Sequence, residues 1–382
     1  MSGPLELLGL ADRVEEIDPG EVMSRLDEVT LVDVREPAEH ANGVIPGALL
    51  IPIAEVQHRI GDHVRPGEKT VVAYCASGYR SLFAAEILNR MGYRAVSMRG
   101  GVIAWRGLGL PWSGENPLTE DQLQRYSRHL RLPEVGEEGQ KRLLASRVLL
   151  VGAGGLGSPA ALYLAAAGVG TLGVVDDDTV AASNLQRQVL HTQDRIGMPK
   201  VESARETITA LNADVNVETH QVRLDAGNAL EIMSAYDLVV DGGDNFPTRY
   251  LVNDASLRLG IPVVHGSIFR FEGQVTVFDP YEGPCYRCLH RLPPPPDAAP
   301  SCAIAGVFGV LPGVVGSIQA TEAIKRLLGL GRSLVGRLLV FDALEQEFTT
   351  LPIRRDPDCP ACSDPDRPPP LVDYDETCRP VA

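Results

Sequence analysis

A glycine-rich turn between an apolar strand and a helix constrains the fold of this 382-residue chain more than any other feature. Residues 147–178 read RVLLVGAGGLGSPAALYLAAAGVGTLGVVDDD, which predicts a strand, a loop, a helix and a second strand. The loop GAGGLG (152–157) fits the pattern G-x-G-x-x-G in the strand-then-helix context that a phosphate-binding turn requires. Its glycines let backbone N–H groups approach a phosphate, and the helix N-terminus adds a positive partial charge. The segment therefore predicts a nucleotide-binding α/β domain.

An acid follows this loop at the position where a ribose would lie. Asp176 ends the next predicted strand and can accept hydrogen bonds from a ribose hydroxyl. Taken alone, the loop and the acid are typical of an NAD site, and tight strand–helix packing with no ligand is the alternative.

The residues after Asp176 favour phosphoryl or adenylyl chemistry over hydride transfer. Arg187, Lys200 and the polar turn DGGDNFPTR (241–249) supply cations for a triphosphate and an acid for Mg²⁺. Ser183 and Gln186 also fit a helix capping box, so part of this segment could simply begin a helix. A cap does not explain Arg187 or Lys200.

The pattern along the chain predicts two α/β domains. Residues 14–101 alternate short strands and helices, which is typical of a parallel sheet covered by helices. We expect a first domain at 1–113, a linker at 114–117, a second domain at 118–362 and a mobile, proline-rich tail at 363–382. In the second domain, residues 273–280 begin a part whose alternation suggests antiparallel strands.

Charge and hydropathy exclude several classes of protein. The net charge of −15 argues against nucleic-acid binding as the main task, since that needs clustered Lys and Arg. Two uncharged stretches, 148–175 and 303–321, are long enough to cross a bilayer, but their glycines and Pro312 favour a buried core. The N-terminus lacks the basic-then-apolar pattern of a signal peptide. We expect a cytoplasmic protein without a membrane segment.

Four of the seven cysteines form two Cys-x-x-Cys pairs, in CYRC and CPAC. In a chain without an export signal, such pairs indicate metal or thiol chemistry in a reducing compartment. Two pairs can complete a closed, structural four-thiolate zinc site, with redox-active or inert thiols as alternatives. The predicted Zn²⁺ ligands are Cys285, Cys288, Cys359 and Cys362.

Seven motifs together resemble the MoeB/ThiF family, whose members adenylate the C-terminal glycine of small, ubiquitin-like sulfur-carrier proteins. In chain order they are RYSRHLRLPEVG, RVLLVGAGGLGS, DDDTVAASNLQRQ, GMPKVESA, DGGDN, PCYRCL and CPAC. Seven ordered motifs are far more specific than the glycine loop alone. The resemblance implies a Rossmann-like, mixed-sheet domain with a structural zinc site, and a partner protein that ends in Gly-Gly.

The resemblance also implies the residues of the adenylation site. The expected ATP contacts are Gly155, Asp176, Ser183, Asn184, Leu185, Gln186, Arg187, Lys200, Asp244 and Asn245. Asp244 is the expected Mg²⁺ holder. Arg128 matches a family arginine that reaches the nucleotide of the neighbouring subunit, which implies a homodimer. Of these residues, Arg128, Arg187, Lys200 and Asp244 are the expected catalytic set.

The adenylation step needs no protein nucleophile. The carboxylate of the carrier attacks the α-phosphate of ATP and pyrophosphate leaves. The enzyme has to align the two anions and neutralise the charge on the transferring group.

A cysteine in the first domain lies where a nucleophile could be cradled by a loop. Cys75, in VVAYCASGYRS (71–81), follows a strand and precedes a helix. Successive loop N–H groups can converge on its sulfur there, and nearby Arg80 would stabilise an anion. The alternative is a buried thiol at the end of a strand.

The motifs around Cys75 resemble a rhodanese domain, a family that carries sulfane sulfur as a cysteine persulfide. They are DVRE, GVIPGA, CASGYRS and RGGVIAW; Val44 departs from the histidine that many relatives have before Ile-Pro-Gly. Four residues separate Cys75 from Arg80, whereas the phosphatase relatives of this fold have five, so the loop favours sulfur. Asp33 and Arg35 are expected to brace the loop by ion pairing.

Together the two resemblances imply a sulfur-carrier adenylyltransferase and sulfurtransferase. Cys75 would deliver persulfide sulfur to the carrier adenylate, yielding a thiocarboxylate for molybdopterin, thiamine, tRNA thiolation or a related pathway. The sulfur would come from a cysteine desulfurase or another donor. Cys302 matches a cysteine that, in related enzymes, links covalently to the carrier, with an ordinary small buried residue as the alternative. The alternatives are an NAD-dependent oxidoreductase fused to a rhodanese, and a non-catalytic module that binds a ubiquitin-like protein.

Overall fold

A computed structural model describes residues 14–40, 43–113, 118–292 and 306–374. The chain divides into two compact units, Met1–Lys141 and Arg142–Ala382. Among the described residues, no helix combines the length and the apolar character that crossing a membrane would require.

The first unit is built on a five-stranded sheet in the order β1-β5-β4-β2-β3, in which all paired strands are parallel. The strands are β1 Glu16–Ile17, β2 Val29–Asp33, β3 Leu49–Leu50, β4 Thr70–Tyr74 and β5 Ala95–Met98. The helices between and after them are α1 Pro19–Ser24, α2 Pro37–His40, α3 Val56–Arg59, α4 Tyr79–Arg90 and α5 Gly101–Gly107. The parallel sheet expected from alternating strands and helices is present.

Side chains of β4 alternate between two apolar cores, as the period of a strand requires. Val71, Ala73 and Cys75 belong to the core that includes α4. Val72 and Tyr74 belong to the core that includes Trp105 of α5. Cys75 continues this alternation just beyond β4, so its side chain belongs to the core that includes α4. It is only 1% exposed.

The second unit is built on an eight-stranded mixed sheet in the order β13-β12-β11-β10-β9-β6-β7-β8. The strands are β6 Arg147–Val151, β7 Thr171–Val175, β8 Asn216–His220, β9 Leu238–Asp241, β10 Val263–Phe269, β11 Glu272–Phe278, β12 Arg337–Asp342 and β13 Glu347–Pro352. Strands β6 to β10 pair in parallel, and β10 to β13 pair antiparallel. The antiparallel part expected from residue 273 onwards is therefore present.

Helices cover this sheet and place its loops. They are α8 Gly157–Ala167, α9 Lys200–Leu211, α10 Ala229–Met233, α11 Phe246–Leu259, α12 Tyr286–Leu289 and α13 Leu311–Leu328. Two more helices precede β6, namely α6 Glu120–Arg125 and α7 Gly136–Ala145. The strand order runs outward from β6 to β7 and β8 on one side and to β9 and β10 on the other. The carboxyl ends of β6 and β9 thus form the switch point where α/β sheets bind ligands.

The segment after Cys362 is packed against the second unit as far as Tyr374, which differs from the mobile tail expected from its composition. Leu371 and Tyr374 join the apolar cluster around α11. Arg258 donates to Pro369 O at 2.7 Å, and Ala226 N donates to Asp373 Oδ1 at 2.8 Å. Prolines mark a segment that cannot form regular structure, but two large side chains and these hydrogen bonds still fix it.

Candidate functional site

The glycine loop between β6 and α8 packs directly against the turn that follows β9. Gly152 has φ +91°, and a Cβ at Gly157 would clash with the carbonyl of Gly152. A Cβ at Gly242 would lie 3.1 Å from the Gly157 nitrogen, and Gly242 N donates to Val151 O at 2.9 Å. Only glycine fits at these contacts, so the loop and the turn form one edge.

Asp176 joins the glycine loop to the end of β7. Its carboxylate accepts from Ala153 N at 2.8 Å and from Asp178 N at 2.9 Å. Burial raises the pKa of Asp176, and the nearby charge of Lys200 opposes this rise. The carboxylate is thus held in one orientation at the position predicted for a ribose contact.

Lys200 begins α9 with its side chain almost fully buried beside these acids. Its Nζ lies 2.7 Å from Asp178 Oδ2 and 3.9 Å from Asp176 Oδ1. Lys200 N also donates to Asp178 O at 2.9 Å, so Asp178 fixes both ends of this residue. Asp178 was absent from the predicted set, and the only sequence signal for it is the run of three aspartates.

Arg187 lies against the glycine loop, since a Cβ at Gly155 would come 3.6 Å from Arg187 Cγ. Its Nη1 donates to Ser183 O at 3.2 Å. The preceding segment forms a short 3₁₀ helix, Ala182–Asn184, instead of the α-helix that a capping box would begin. Of the remaining predicted residues here, Leu185 follows that helix and Gln186 lies against Gly309.

Asp244 and Asn245 are exposed in the turn after β9. Asn245 caps α11, because its Oδ1 accepts from Thr248 N at 2.9 Å. Its Nδ2 lies 3.4 Å from Asp244 Oδ1. The Asp244 side chain is otherwise exposed to solvent. The structure therefore brings Gly155, Asp176, Arg187 and Lys200 together, and places Asp244 on the adjoining turn. Arg128 is exposed in the turn that follows α6.

Two buried histidines support this edge, and neither was predicted. His191 Nε2 lies 2.9 Å from Ala153 O, and its Nδ1 lies 2.9 Å from Ser203 Oγ of α9. His265 Nδ1, within β10, lies 2.7 Å from Oδ2 of Asp241, the last residue of β9. A buried histidine with local polar partners gives no distinctive sequence pattern, so only the structure reveals both.

The loop that follows β4 and Cys75 holds its carbonyls and its N–H groups differently. Val102 N and Ile103 N of α5 donate to the carbonyls of Cys75 and Ala76, at 2.8 and 3.1 Å. Within the described ranges, no protein group accepts a hydrogen bond from the backbone N–H groups of residues 76–80. The loop thus has its carbonyls bound and its N–H groups free, which is the arrangement of an anion-binding nest.

Two buried serines lie beside the sulfur. Cys75 Sγ is 3.7 Å from Ser81 Oγ, which is itself 2.9 Å from Ser97 Oγ. Arg80 reaches out of the loop and donates to both carboxylate oxygens of Glu39, each at 2.6 Å. Glu39 was not among the predicted residues.

Asp33 and Arg35 form the expected ion pair, with Nη2 to Oδ2 at 2.6 Å. Arg35 also donates to the carbonyls of Gly43 at 2.8 Å and Glu39 at 3.3 Å. The pair therefore braces α2, which carries Glu39, and the segment that follows it, and these hydrogen bonds of Arg35 do not go to the cysteine loop.

The four paired cysteines converge although about 70 residues separate the pairs. Sγ–Sγ distances are 3.8 Å for Cys285–Cys288, 3.6 Å for Cys285–Cys359 and 3.5 Å for Cys288–Cys362, and all four sulfurs lie within 4.8 Å of one another. A tetrahedral zinc with Zn–S bonds of about 2.3 Å needs sulfurs about 3.8 Å apart. The donor set and its spacing fit Zn²⁺.

Helix α11 holds the middle of the CYRC turn. Asn253 Oδ1 accepts from Tyr286 N at 2.8 Å, and Asp254 pairs with Arg287 at 2.6 Å. Because α11 begins directly after the Asp244–Asn245 turn, one helix connects the nucleotide edge to the cysteine cluster. Cys302 lies outside the described residues.

Comparison with known proteins identifies a family for each part of the chain. Residues 126–361 match the ThiF family, and residues 18–108 match the rhodanese-like domain. A sulfur carrier protein adenylyltransferase of Thermus thermophilus is 56% identical over 265 residues, covering 68% of this chain and 98% of that protein. The Mycobacterium tuberculosis protein named probable adenylyltransferase/sulfurtransferase MoeZ is 51% identical over 269 residues, covering 69% of this chain and 67% of that protein.

A solved structure shares the fold at lower identity. The crystal structure of E. coli MccB with AMPCPP and MccA superposes with a TM-score of 0.55 at 22% identity, covering 62% of this chain and 74% of that chain. Because the ThiF model matches more than half of the chain and the 56% identical Thermus protein is covered to 98%, this chain belongs to the ThiF family and carries an N-terminal rhodanese domain.

Proposed function

We propose that the chain adenylates the C-terminal glycine of a ubiquitin-like sulfur carrier and transfers persulfide sulfur from Cys75 to it. The observation that carries the first half is the placement of Arg187 and Lys200 beside the glycine loop. Two cations at this edge match the charge of a triphosphate, and an NAD-dependent oxidoreductase would leave them without a role. The activities named for the Thermus and Mycobacterium relatives agree with this proposal.

The adenylation site would use its residues in distinct ways. Asp176 would bind the ribose, and backbone N–H groups of the glycine loop before α8 would donate to phosphate oxygens. Arg187 and Lys200 would neutralise charge on the α-phosphate as pyrophosphate leaves. For this, Lys200 would give up its ion pair with Asp178 and pair with the nucleotide instead. Asp244, which is open to solvent, would hold Mg²⁺. Arg128 would complete the site of a second subunit in a homodimer.

The sulfur step follows from the nest around Cys75. The terminal sulfur of the Cys75 persulfide would attack the carrier carbonyl carbon, and AMP would leave with the bonding electron pair. A second thiol, from Cys302 or from an external reductant, would then attack Cys75 Sγ. That attack breaks the S–S bond, releases the carrier thiocarboxylate and leaves a disulfide on Cys75. An external thiol would restore the Cys75 thiolate.

We extend the proposal to the metal, the sulfur donor, the cellular location and the domain boundaries. Zn²⁺ held by the four paired cysteines would join distant segments of the second unit without taking part in the reaction. A cysteine desulfurase is the proposed sulfur donor, and the cytoplasm is the proposed location. We place the rhodanese domain at 1–113 and the adenylyltransferase domain at 118–362, with products used for molybdopterin, thiamine or tRNA thiolation.

The adenylation claim is tested by ATP–pyrophosphate exchange with candidate carriers that end in Gly-Gly. Lys200→Ala and Arg187→Ala should each lower carrier-dependent exchange by about 100-fold or more, since each removes a charge that stabilises the transition state. Arg205→Ala is the matched control, because Arg205 lies on the same helix as Lys200 and pairs with Glu202 at the surface. Absence of exchange with every carrier would refute the claim.

The sulfur half has its own test. Cys75→Ala should abolish thiosulfate–cyanide sulfurtransfer and leave carrier-dependent exchange unchanged. Cys302→Ser should spare both reactions and slow only the formation of thiocarboxylate. Sulfurtransfer that survives Cys75→Ala would show that another residue carries the sulfur.

A further inference from the structure

The charge nearest the reactive cysteine loop is already neutralised by a residue of the same unit. Arg80 lies in the first turn of α4, directly after that loop, and its guanidinium makes two hydrogen bonds of 2.6 Å to the Glu39 carboxylate. Hydrogen bonds to Glu39 raise the pKa of Arg80, and the nearby Cys75 sulfur acts in the same direction. Arg80, five residues after Cys75 in the chain, is thus paired with an acid.

Glu39 is held in this position by more than Arg80. Its Oε2 also accepts from Glu36 N at 2.9 Å, and Arg35 donates to the Glu39 carbonyl at 3.3 Å. Arg35 is in turn fixed by Asp33. The side chains of Arg80 and Glu39 are 27% and 33% exposed, so the pair is half-buried and less screened than a surface ion pair. Such a bidentate, oriented pair is among the stronger ion pairs in proteins.

The charge of the sulfur donor decides whether this pair helps or hinders. With thiosulfate, the Cys75 thiolate attacks the outer sulfur, the S–S bond breaks, and sulfite leaves with the electron pair. With a persulfide R–S–S⁻, the thiolate attacks the terminal sulfur and R–S⁻ leaves. The first reaction brings a dianion to an anion and the second brings a monoanion, so thiosulfate needs one more unit of positive charge.

We propose that Glu39 is a specificity-determining residue. It neutralises the charge of Arg80 and so selects monoanionic persulfide donors over small dianions. The free N–H groups of residues 76–80 remain to bind one negative charge. Arg80 would neutralise a second negative charge only if the Glu39 carboxylate were absent. This inference rests on the proposed role of Cys75 as the sulfur carrier.

The test compares Glu39→Gln with Glu36→Gln. Glutamine keeps the size and one hydrogen bond of Glu39 but removes its charge. Glu36 is exposed three residues away, so its variant controls for a general change of charge. Glu39→Gln should raise kcat/KM for thiosulfate about tenfold, on the order expected for one close, partly screened charge, mainly through KM. With cysteine persulfide as donor, Glu39→Gln should change kcat/KM by less than about twofold.

Sulfate binding tests the role of Glu39 independently of sulfur transfer by Cys75. Sulfate, an unreactive dianion, should bind Glu39→Gln more tightly than the wild type or Glu36→Gln, as measured by calorimetry. Glu39→Asp, which keeps the charge, should behave like the wild type and covers the case in which the amide variant folds poorly. If the wild type transfers no sulfur from either donor, the role of Cys75 fails, and sulfate binding still decides the role of Glu39. Unchanged sulfate binding, or an equal gain with both donors, would overturn the inference.

Discussion

His191 donates its Nε2–H to the carbonyl of Ala153 at 2.9 Å, because a carbonyl oxygen can only accept. The Nδ1 of the same ring then accepts from the Ser203 hydroxyl of α9. The N–H of Ala153 is bound by Asp176 at 2.8 Å. One residue of the glycine loop, Ala153, is thus held at both its N–H and its carbonyl, and α9, which begins with Lys200, is joined to it through a neutral histidine.

Removing this histidine should weaken nucleotide binding without unfolding the unit. His191→Ala frees the loop and leaves Ser203 without its partner, so we expect the dissociation constant of a non-hydrolysable ATP analogue to rise about tenfold or more. His191→Gln retains an N–H donor and should recover part of the loss. Val189→Ala, at an exposed position of the same segment, is the control. Equal affinity of His191→Ala and the wild type, by calorimetry, would contradict the assignment.

Stability of the second unit should fall as the pH drops below about 6.5. Burial lowers the pKa of both His191 and His265, although the hydrogen bond with Asp241 opposes this for His265. The charges of Lys200 and Arg195 lower the pKa of His191 further, whereas Asp176 raises it. The charge of Arg249 lowers the pKa of His265. The unfolded chain takes up protons at these residues near the ordinary histidine pKa of 6.5, whereas the folded chain does so only at lower pH.

Because the unfolded state binds more protons, its free energy falls relative to the folded state until the lowered pKa values are reached. Scanning calorimetry at pH 7.5, 6.5 and 5.5 should show a decreasing midpoint for the transition that an ATP analogue stabilises. His191→Gln should reduce this dependence on pH. A midpoint that stays constant or rises on acidification would be inconsistent with neutral, buried histidines.

The cysteine cluster should contain about one zinc per chain and should lose it when a single ligand is removed. Cys359→Ser breaks the tetrahedral set, so zinc content measured by atomic emission should fall by at least half and the thermal midpoint should decrease. Cys75→Ser is the matched control, because this buried cysteine lies outside the cluster. Full zinc content in Cys359→Ser would show that the metal is bound elsewhere.

Tyr374 should contribute to the stability of the second unit. Its hydroxyl accepts from Arg287 Nη2 at 3.0 Å, and its ring packs 5.9 Å from that of Tyr250. Tyr374→Phe should cost about 1 kcal/mol of unfolding free energy, and Tyr374→Ala about 2–4 kcal/mol, since it also removes buried aromatic surface. Tyr163→Ala, at a site that is 60% exposed, should be nearly neutral. Denaturant unfolding of the three variants measures the difference, and equal losses from Tyr374→Ala and Tyr163→Ala would contradict a packed segment.

The sequence by itself determined the features that depend on neighbouring residues. Strand, glycine loop and helix at 147–167 follow from local apolar runs and from turns that only glycine can make. Asp176 was found because it ends the next strand, and the cysteine pairs because two thiols at this spacing suit one metal. Cys75 was identified in the same way as Asp176, because it directly follows a strand, β4.

Tertiary structure decided the contacts between residues that are distant along the chain. Glu39 pairs with Arg80 across 41 positions, and His191 reaches Ala153 across 38. No periodicity encodes such pairs, because each depends on which strands become neighbours in the sheet. The segment up to Tyr374 was expected to be mobile because its prolines resemble disorder, whereas its packing depends on an apolar cluster that exists only once α11 and the CYRC turn have come together.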